Sequence, residues 1–368
     1  MKRRYLAEEA QARFAEARFA AVRRLAAIAD AEGCAFAVVC GDVFESNQVD
    51  RRTLARALDA LGAFRVPVLL LPGNHDPLDG SSVYRQPAFR ERAPQQVRVL
   101  DDSRPLALAP GLEIAAAPWR SKRPGADLVA TACADLEPTD AVTRICVAHG
   151  ALDVLSPDRD DPARIALESA ENALADGRIH YLALGDRHSR TSVGATGRIH
   201  YAGTPEPTDF DEQAPGEALV VDVDPWHVEV TPHRVGTWRF LRRRDLRLDG
   251  DADLDALETW LHVLPAKERS VLRLECSGSL DLRGAARLEA ILERARDLFA
   301  SLELWNPDLA VRPADADFEG LSLSGFAARA LGRLRQQAAG EGADAADAER
   351  ARDALALLVR LAGEGAAA

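Results

Sequence analysis

Four times along this chain an apolar run stops at a glycine beside side chains able to hold a metal ion. Val38-Val39-Cys40-Gly41-Asp42 is the first and Leu69-Leu70-Leu71-Pro72-Gly73-Asn74-His75-Asp76 the second. Ile145-Cys146-Val147-Ala148-His149-Gly150 and Leu182-Ala183-Leu184-Gly185-Asp186-Arg187-His188 follow. Short continuous apolar runs bounded by turn residues read as strands buried on both faces, and α/β proteins place their chemistry where such strands end. One Asp after a strand is as well explained as a helix N-cap or a turn residue. Four such endings in register are not explained that way.

Between these runs the period changes to that of helices. Phe14, Ala21, Leu25 and Ile28 recur among Arg and Glu, which predicts a helix over 5–32 closed by Gly33. Leu54, Leu58 and Leu61 share one face of a second helix over 49–61. Strands are predicted over 35–40, 66–71, 97–100, 112–117, 143–150, 179–185, 199–203 and 218–223, with further helices over 126–136 and 165–174. Beyond Trp238 the order becomes strand 239–248, helix 254–263, strand 270–276 and helix 282–298, a small α+β arrangement. Helices over 326–336 and 347–361 end the chain, and their leucines Leu331, Leu334, Leu355, Leu358 and Leu361 suit docking either on the protein's own core or on a partner.

At 368 residues two domains are the natural expectation. No apolar stretch reaches the roughly 18 residues of a membrane span, and the charged start Met1-Lys2-Arg3-Arg4 lacks a signal-peptide core, which points to the cytoplasm. The five cysteines are never spaced as C-x-x-C, so buried free thiols are expected, not a disulfide framework or a zinc-thiolate site. A net charge of −12 argues against coating nucleic acid by bulk electrostatics, while leaving room for metal ions and local basic groups to hold a phosphate backbone.

Taken in order, Gly41-Asp42-Val43-Phe44-Glu45, Gly73-Asn74-His75-Asp76, Ala148-His149-Gly150 and Gly185-Asp186-Arg187-His188 resemble the G-D-x-x-[DE], G-N-H-D, later-histidine and closing G-H-x-H motifs of the calcineurin-like metallophosphoesterases. Within that family they are most similar to the DNA-repair exonuclease branch of SbcD type, over roughly residues 5–235. The resemblance implies an α/β (α+β) fold: a four-layer metallophosphoesterase sandwich of two mixed β-sheets flanked by helices over 1–236, a small α+β capping domain over 237–315 and a helical tail over 316–368. It implies a phosphodiesterase using two divalent ions about 3.5–4 Å apart, which activate water and neutralise the phosphoryl oxygens. Asp42 would bridge the ions, Asn74, His149 and Asp186 would serve the second, and His188 the first. His75 would protonate the leaving group or steady the oxyanion, oriented by Asp76. Mixed oxygen and nitrogen donors favour manganese, with iron or zinc as alternatives. The implied partners are DNA and an ABC-type coiled-coil ATPase, with a homodimer as a further option.

Two departures stand out. Asp186 replaces the usual histidine, and a carboxylate can serve a hard cation there. The family's opening strand, ending in D-x-H, has no counterpart before Asp30, so the first site would keep Asp42 and His188 alone, and the strand ending at Asp42 would lose a neighbour. The expectation is that about fifteen to twenty-five residues of the functional protein precede Met1. Small diesters as substrate, or a non-catalytic scaffold, are the competing readings. His180, His200, His227, His233 and His262 are assigned no metal role, and Glu45 is expected to support the rim through hydrogen bonds. The acids of the 206–212 loop are read as a turn-rich connection, and Arg120, Lys122, Arg123, Arg187 and Arg190 as solvated loop charge.

Overall fold

The computed structural model describes residues 5–156, 158, 160–312, 326–338, 347–348, 350–355 and 357–358. The chain divides into two compact units, one built from Ala12–Trp238 and the other from Arg239 onward together with the segment ending at Gln11.

The first unit opens on the part of α1 (Glu8–Ala31) from Ala12 onward, then β1 (Ala37–Val39), α2 (Arg51–Leu61) and β2 (Val68–Leu70), followed by the short α3 (Pro87–Arg90) and β3 (Val97–Val99). Asp50 starts α2 by accepting from the backbone N–H groups of Arg52 and Thr53, donors that otherwise have no partner at a helix start. β1, β2 and β3 pair in parallel in that order. β1 is thus an edge strand among the described residues, half-buried where β2 is fully buried.

A second sheet follows: β4 (Leu106–Ala109), β5 (Leu112–Ala117), α4 (Leu128–Cys133), β6 (Thr143–His149), α5 (Leu167–Ala175), β7 (Tyr181–Gly185), β8 (Thr191–Val193) and β9 (Ile199–Tyr201). Its order is β4-β5-β6-β7-β9-β8, with β5, β6, β7 and β9 parallel and both edges antiparallel. A hairpin of β10 (Glu217–Val223) and β11 (Val228–Arg234) closes the unit.

The period of two along each strand makes the layers. Val68 and Leu70 pack with Leu54 and Leu58 of α2, while Leu69 and Leu71 face Ile114, Ile145 and Val147 of the second sheet. Cys146, Ala148, Leu182 and Leu184 turn the other way, onto Val129 of α4 and Ala170 and Ala173 of α5. Helices, sheet, sheet and helices are therefore four layers, each buried leucine contributing about 1.5–3 kcal/mol. The sandwich sets the C-terminal ends of β1, β2, β6 and β7 at the rim of the two sheets.

In the second unit β12 (Arg239–Leu248), β13 (Ser270–Leu280) and β14 (Ser301–Val311) form a parallel sheet, with α6 (Asp251–Val263) and α7 (Leu282–Arg296) packed on it through Leu257, Leu274, Ile291 and Leu292. Leu331 and Leu334 of α8 (Phe326–Ala338) pack with Leu282, Val311 and Leu355, so these leucines dock on the protein's own core. Leu358 is half-buried, and Leu361 lies outside the described residues.

Candidate metal centre

Each ligand-type side chain stands at or just past the C-terminal end of a strand, and glycines let those ends come together. A Cβ on Gly41 would overlap the His149 ring, one on Gly73 the Asp42 carboxylate, and one on Gly185 the carbonyl oxygen of Cys40. Three chain segments thus cross within backbone contact, bringing β1 and β2 of one sheet against β6 and β7 of the other. Asp42 and Asp186 both hold positive φ, at 55° and 92°, a conformation few residues other than glycine tolerate and one that gathers at functional sites. We expect Gly185→Ala to lower stability by about 1–3 kcal/mol, because the methyl meets backbone and not a side chain that can swing away. A thermal unfolding midpoint within a degree of wild type would contradict this.

His149 is the hub of the site. Its side chain is 1% exposed. Nδ1 donates to the Cys40 carbonyl at 2.7 Å, and the Trp119 indole N–H donates to the His149 carbonyl at 2.6 Å, so ring and backbone are both fixed. Nε2 then faces oxygens alone: Asn74 Oδ1 at 3.0 Å, Asp42 Oδ2 at 3.4 Å and Asp186 Oδ1 at 3.7 Å. Asp42 Oδ1 also accepts from the His75 backbone N–H at 3.0 Å.

The charges respond to this crowding. Burial pulls the His149 imidazole down, but the Asp42 carboxylate outweighs it and its pKa is raised. Burial pushes Asp42 up, yet His149 and the His75 N–H hold its carboxyl below the ordinary value. Asp186, with weaker partners, is raised by burial. Among the described residues no group of three or more His, Cys, Asp or Glu side chains has the spacing of a finished coordination shell. Here the oxygens lean onto Nε2 instead of standing apart. The donor set nonetheless suits a divalent cation: with Nδ1 committed to a carbonyl, the Nε2 lone pair and three oxygens converge, and a positive charge between them relieves that convergence.

His188 belongs to a neighbouring group. Its Nδ1 lies 2.9 Å from Thr208 Oγ1 and 3.1 Å from Glu212 Oε1, and Glu212 in turn accepts from the Thr208 hydroxyl and backbone N–H. Glu212 has a side chain only 5% exposed, and its bond raises the His188 pKa. The 206–212 loop is therefore not a plain connection. Glu206 is also buried, accepting from the Thr237 and Trp238 N–H groups and pairing with Arg24. No spacing rule marks Glu212, since it meets His188 across 24 positions; the one hint was four acids in seven residues.

His75 sits exposed at the rim, its Nδ1 3.0 Å from the carbonyl of Glu45. This corrects two expectations. Asp76 does not orient His75: it is fully buried and accepts from the N–H groups of Gly73 and Phe44 and from the Tyr84 hydroxyl, tying the two ligand loops together. Glu45 supports the rim through its backbone carbonyl, not its exposed carboxylate. Of the surface arginines, Arg120 bonds the Asp101 carbonyl and Arg190 pairs with Glu217, while Arg187 lines a cleft beside Asp186.

No helix among the described residues is long and apolar enough to cross a membrane. Comparison with curated proteins finds no match. Among solved structures, TT1561 of Thermus thermophilus aligns at 12% identity over 57% of this chain and 92% of its own, with a TM-score of 0.37, too low to bear on chemistry. The family model for calcineurin-like phosphoesterases matches residues 15–221, the stretch that carries both sheets and every ligand-type residue gathered here. The chain belongs to the calcineurin-like phosphoesterase family, whose members are metal-dependent phosphoester hydrolases.

Proposed function

We propose that this protein hydrolyses phosphodiester bonds with divalent ions, manganese foremost, that its substrate is DNA, and that it works with an ABC-type coiled-coil ATPase. The observation that carries the hydrolytic reading is the convergence of Asp42, Asn74, His149 and Asp186 from four strand ends on one point, with His75 exposed beside them. The DNA reading is supported by the order of the four motifs and by the α+β unit that follows the sandwich.

Asp42, Asn74, His149 and Asp186 would hold a cation, with His188 serving a neighbouring position. When bound, divalent ions supply a water that ionises near neutrality and positive charge for the phosphoryl oxygens. The chain's own groups do the rest. Cys40 fixes the His149 tautomer so that Nε2 faces the site, and Glu212 does the same for His188 through Nδ1. His75 donates Nδ1–H to the Glu45 carbonyl, and in its imidazolium form it would give the Nε2 proton to the departing oxygen, returning to the neutral ring with Nδ1–H still in place. Loss of the Glu212 carboxylate should reach the metal through His188: Glu212→Gln is expected to weaken manganese binding about 10–100-fold in calorimetry, with the fold intact. Unaltered affinity would make Glu212 a loop brace only.

The deciding experiment is a manganese-dependent cleavage assay on linear duplex and single-stranded DNA beside bis(p-nitrophenyl) phosphate, wild type against His75→Ala. DNA cleavage lost in the variant supports the proposal. Turnover of the small diester without DNA cleavage moves the substrate to small molecules, and no turnover of either with manganese bound leaves a scaffold role.

A further inference from the structure

Beside Asp186 lies a cleft of about 190 Å³ lined by Ala151, Leu155, Ser156, Asp186, Arg187 and Tyr201. Most of its polar groups are already committed. The Tyr201 hydroxyl donates to the Gly150 carbonyl and accepts from the Leu152 N–H, and the Ser156 hydroxyl bonds the Asp158 carbonyl. Arg187 differs. Its Nε donates to Thr191 Oγ1 at 2.8 Å, and that hydroxyl donates to the Ser189 carbonyl at 3.1 Å, so the guanidinium is held by one edge. Among the described residues it forms no ion pair, although Asp186 is its sequence neighbour. A guanidinium carries five N–H donors in a planar fork. With Nε anchored, the Nη edge has no partner among the described residues.

We infer that Arg187 is a substrate-binding residue whose Nη edge grips a phosphoryl oxygen in this cleft, presenting the ester to the adjoining Asp42, His149 and Asp186 cluster. The inference rests on the phosphodiesterase reading above and adds to it the group that admits an anion to a site rich in carboxylates. Asp42 and Asp186 repel a phosphate, and a fixed guanidinium beside them offsets that repulsion where the anion must sit. Bidentate guanidinium–phosphate bonding also sets orientation, which a flexible ammonium does less well. The apolar wall of Ala151 and Leu155 suits the carbon-bearing side of an ester and not a second charge.

The test titrates inorganic phosphate into wild type, Arg187→Ala and Arg187→Lys, with and without manganese, and measures manganese binding in parallel by calorimetry. The expected result is phosphate affinity reduced about 10–100-fold in Arg187→Ala and partly restored in Arg187→Lys, with manganese affinity and thermal midpoint as in wild type. In turnover of bis(p-nitrophenyl) phosphate the Arg187→Ala loss should fall on KM more than on kcat. Phosphate affinity in Arg187→Ala within twofold of wild type overturns the assignment, as does a wild type that binds no phosphate. A wild type that binds phosphate but no manganese sinks the metal-dependent reading, and the comparison with Arg187→Ala still decides the role of this residue.

Discussion

Replacing His149 with alanine should abolish the site. Manganese affinity is expected to fall by well over the roughly 100-fold that marks the loss of an outer partner, and phosphodiester turnover to fall with it. One ring joins the Cys40 carbonyl on one side to Asn74, Asp42 and Asp186 on the other. Its removal leaves the Asp42 and Asp186 carboxylates without their imidazole partner and the Cys40 carbonyl without a donor, a cost of about 1–3 kcal/mol for the lost bond to Cys40 alone. Calorimetry with manganese and a thermal unfolding curve measure the two effects separately. Wild-type metal affinity in His149→Ala would remove the cluster from consideration as a metal centre.

His75→Ala should do the opposite to the two observables. His75 is exposed, and the contacts its side chain makes lie outside the ligand cluster, so manganese binding and stability should be retained. A proton-donating side chain contributes typically about 10²- to 10⁴-fold, and kcat on a substrate with a poor leaving group should drop by that factor. A good leaving group such as p-nitrophenolate needs less protonation and should show a smaller loss. Equal losses on both substrates would assign His75 to charge stabilisation in place of proton donation, and no loss on either would remove it from the reaction.

The parallel strands were legible because four to six consecutive apolar residues ending at glycine suit little besides a buried strand, and the helices because Leu54, Leu58 and Leu61 keep a period near 3.6. Strands with mixed signals were not. β11 contains Pro232 and β14 the turn-like Asn306-Pro307-Asp308, yet both are edge strands, and in β14 the proline falls at a register shift where no ladder bond is lost. β8 is three residues long, and β4 lies between two prolines. In the site, motif residues could be named one by one, but their division of labour could not. Asp76 follows His75 in sequence and nevertheless points away from it, into a bond with Tyr84. Glu212 reaches His188 only because the chain returns through β9. Such pairings depend on where loops cross, and no local pattern encodes that.

The glycine crossings tie folding to ion binding. Asp42 and Asn74 follow strands of the first sheet, while His149 ends β6 and Asp186 follows β7 in the second, more than seventy positions further along the chain. An ion held by all four would act as a removable staple across the sandwich, closing a long segment that the unfolded chain leaves open. Folding and loading then become linked equilibria: at a free-ion concentration one hundred times Kd, occupancy adds about 2.7 kcal/mol to the folded state. Chelators would therefore act on this protein as mild denaturants, in addition to any effect on its chemistry.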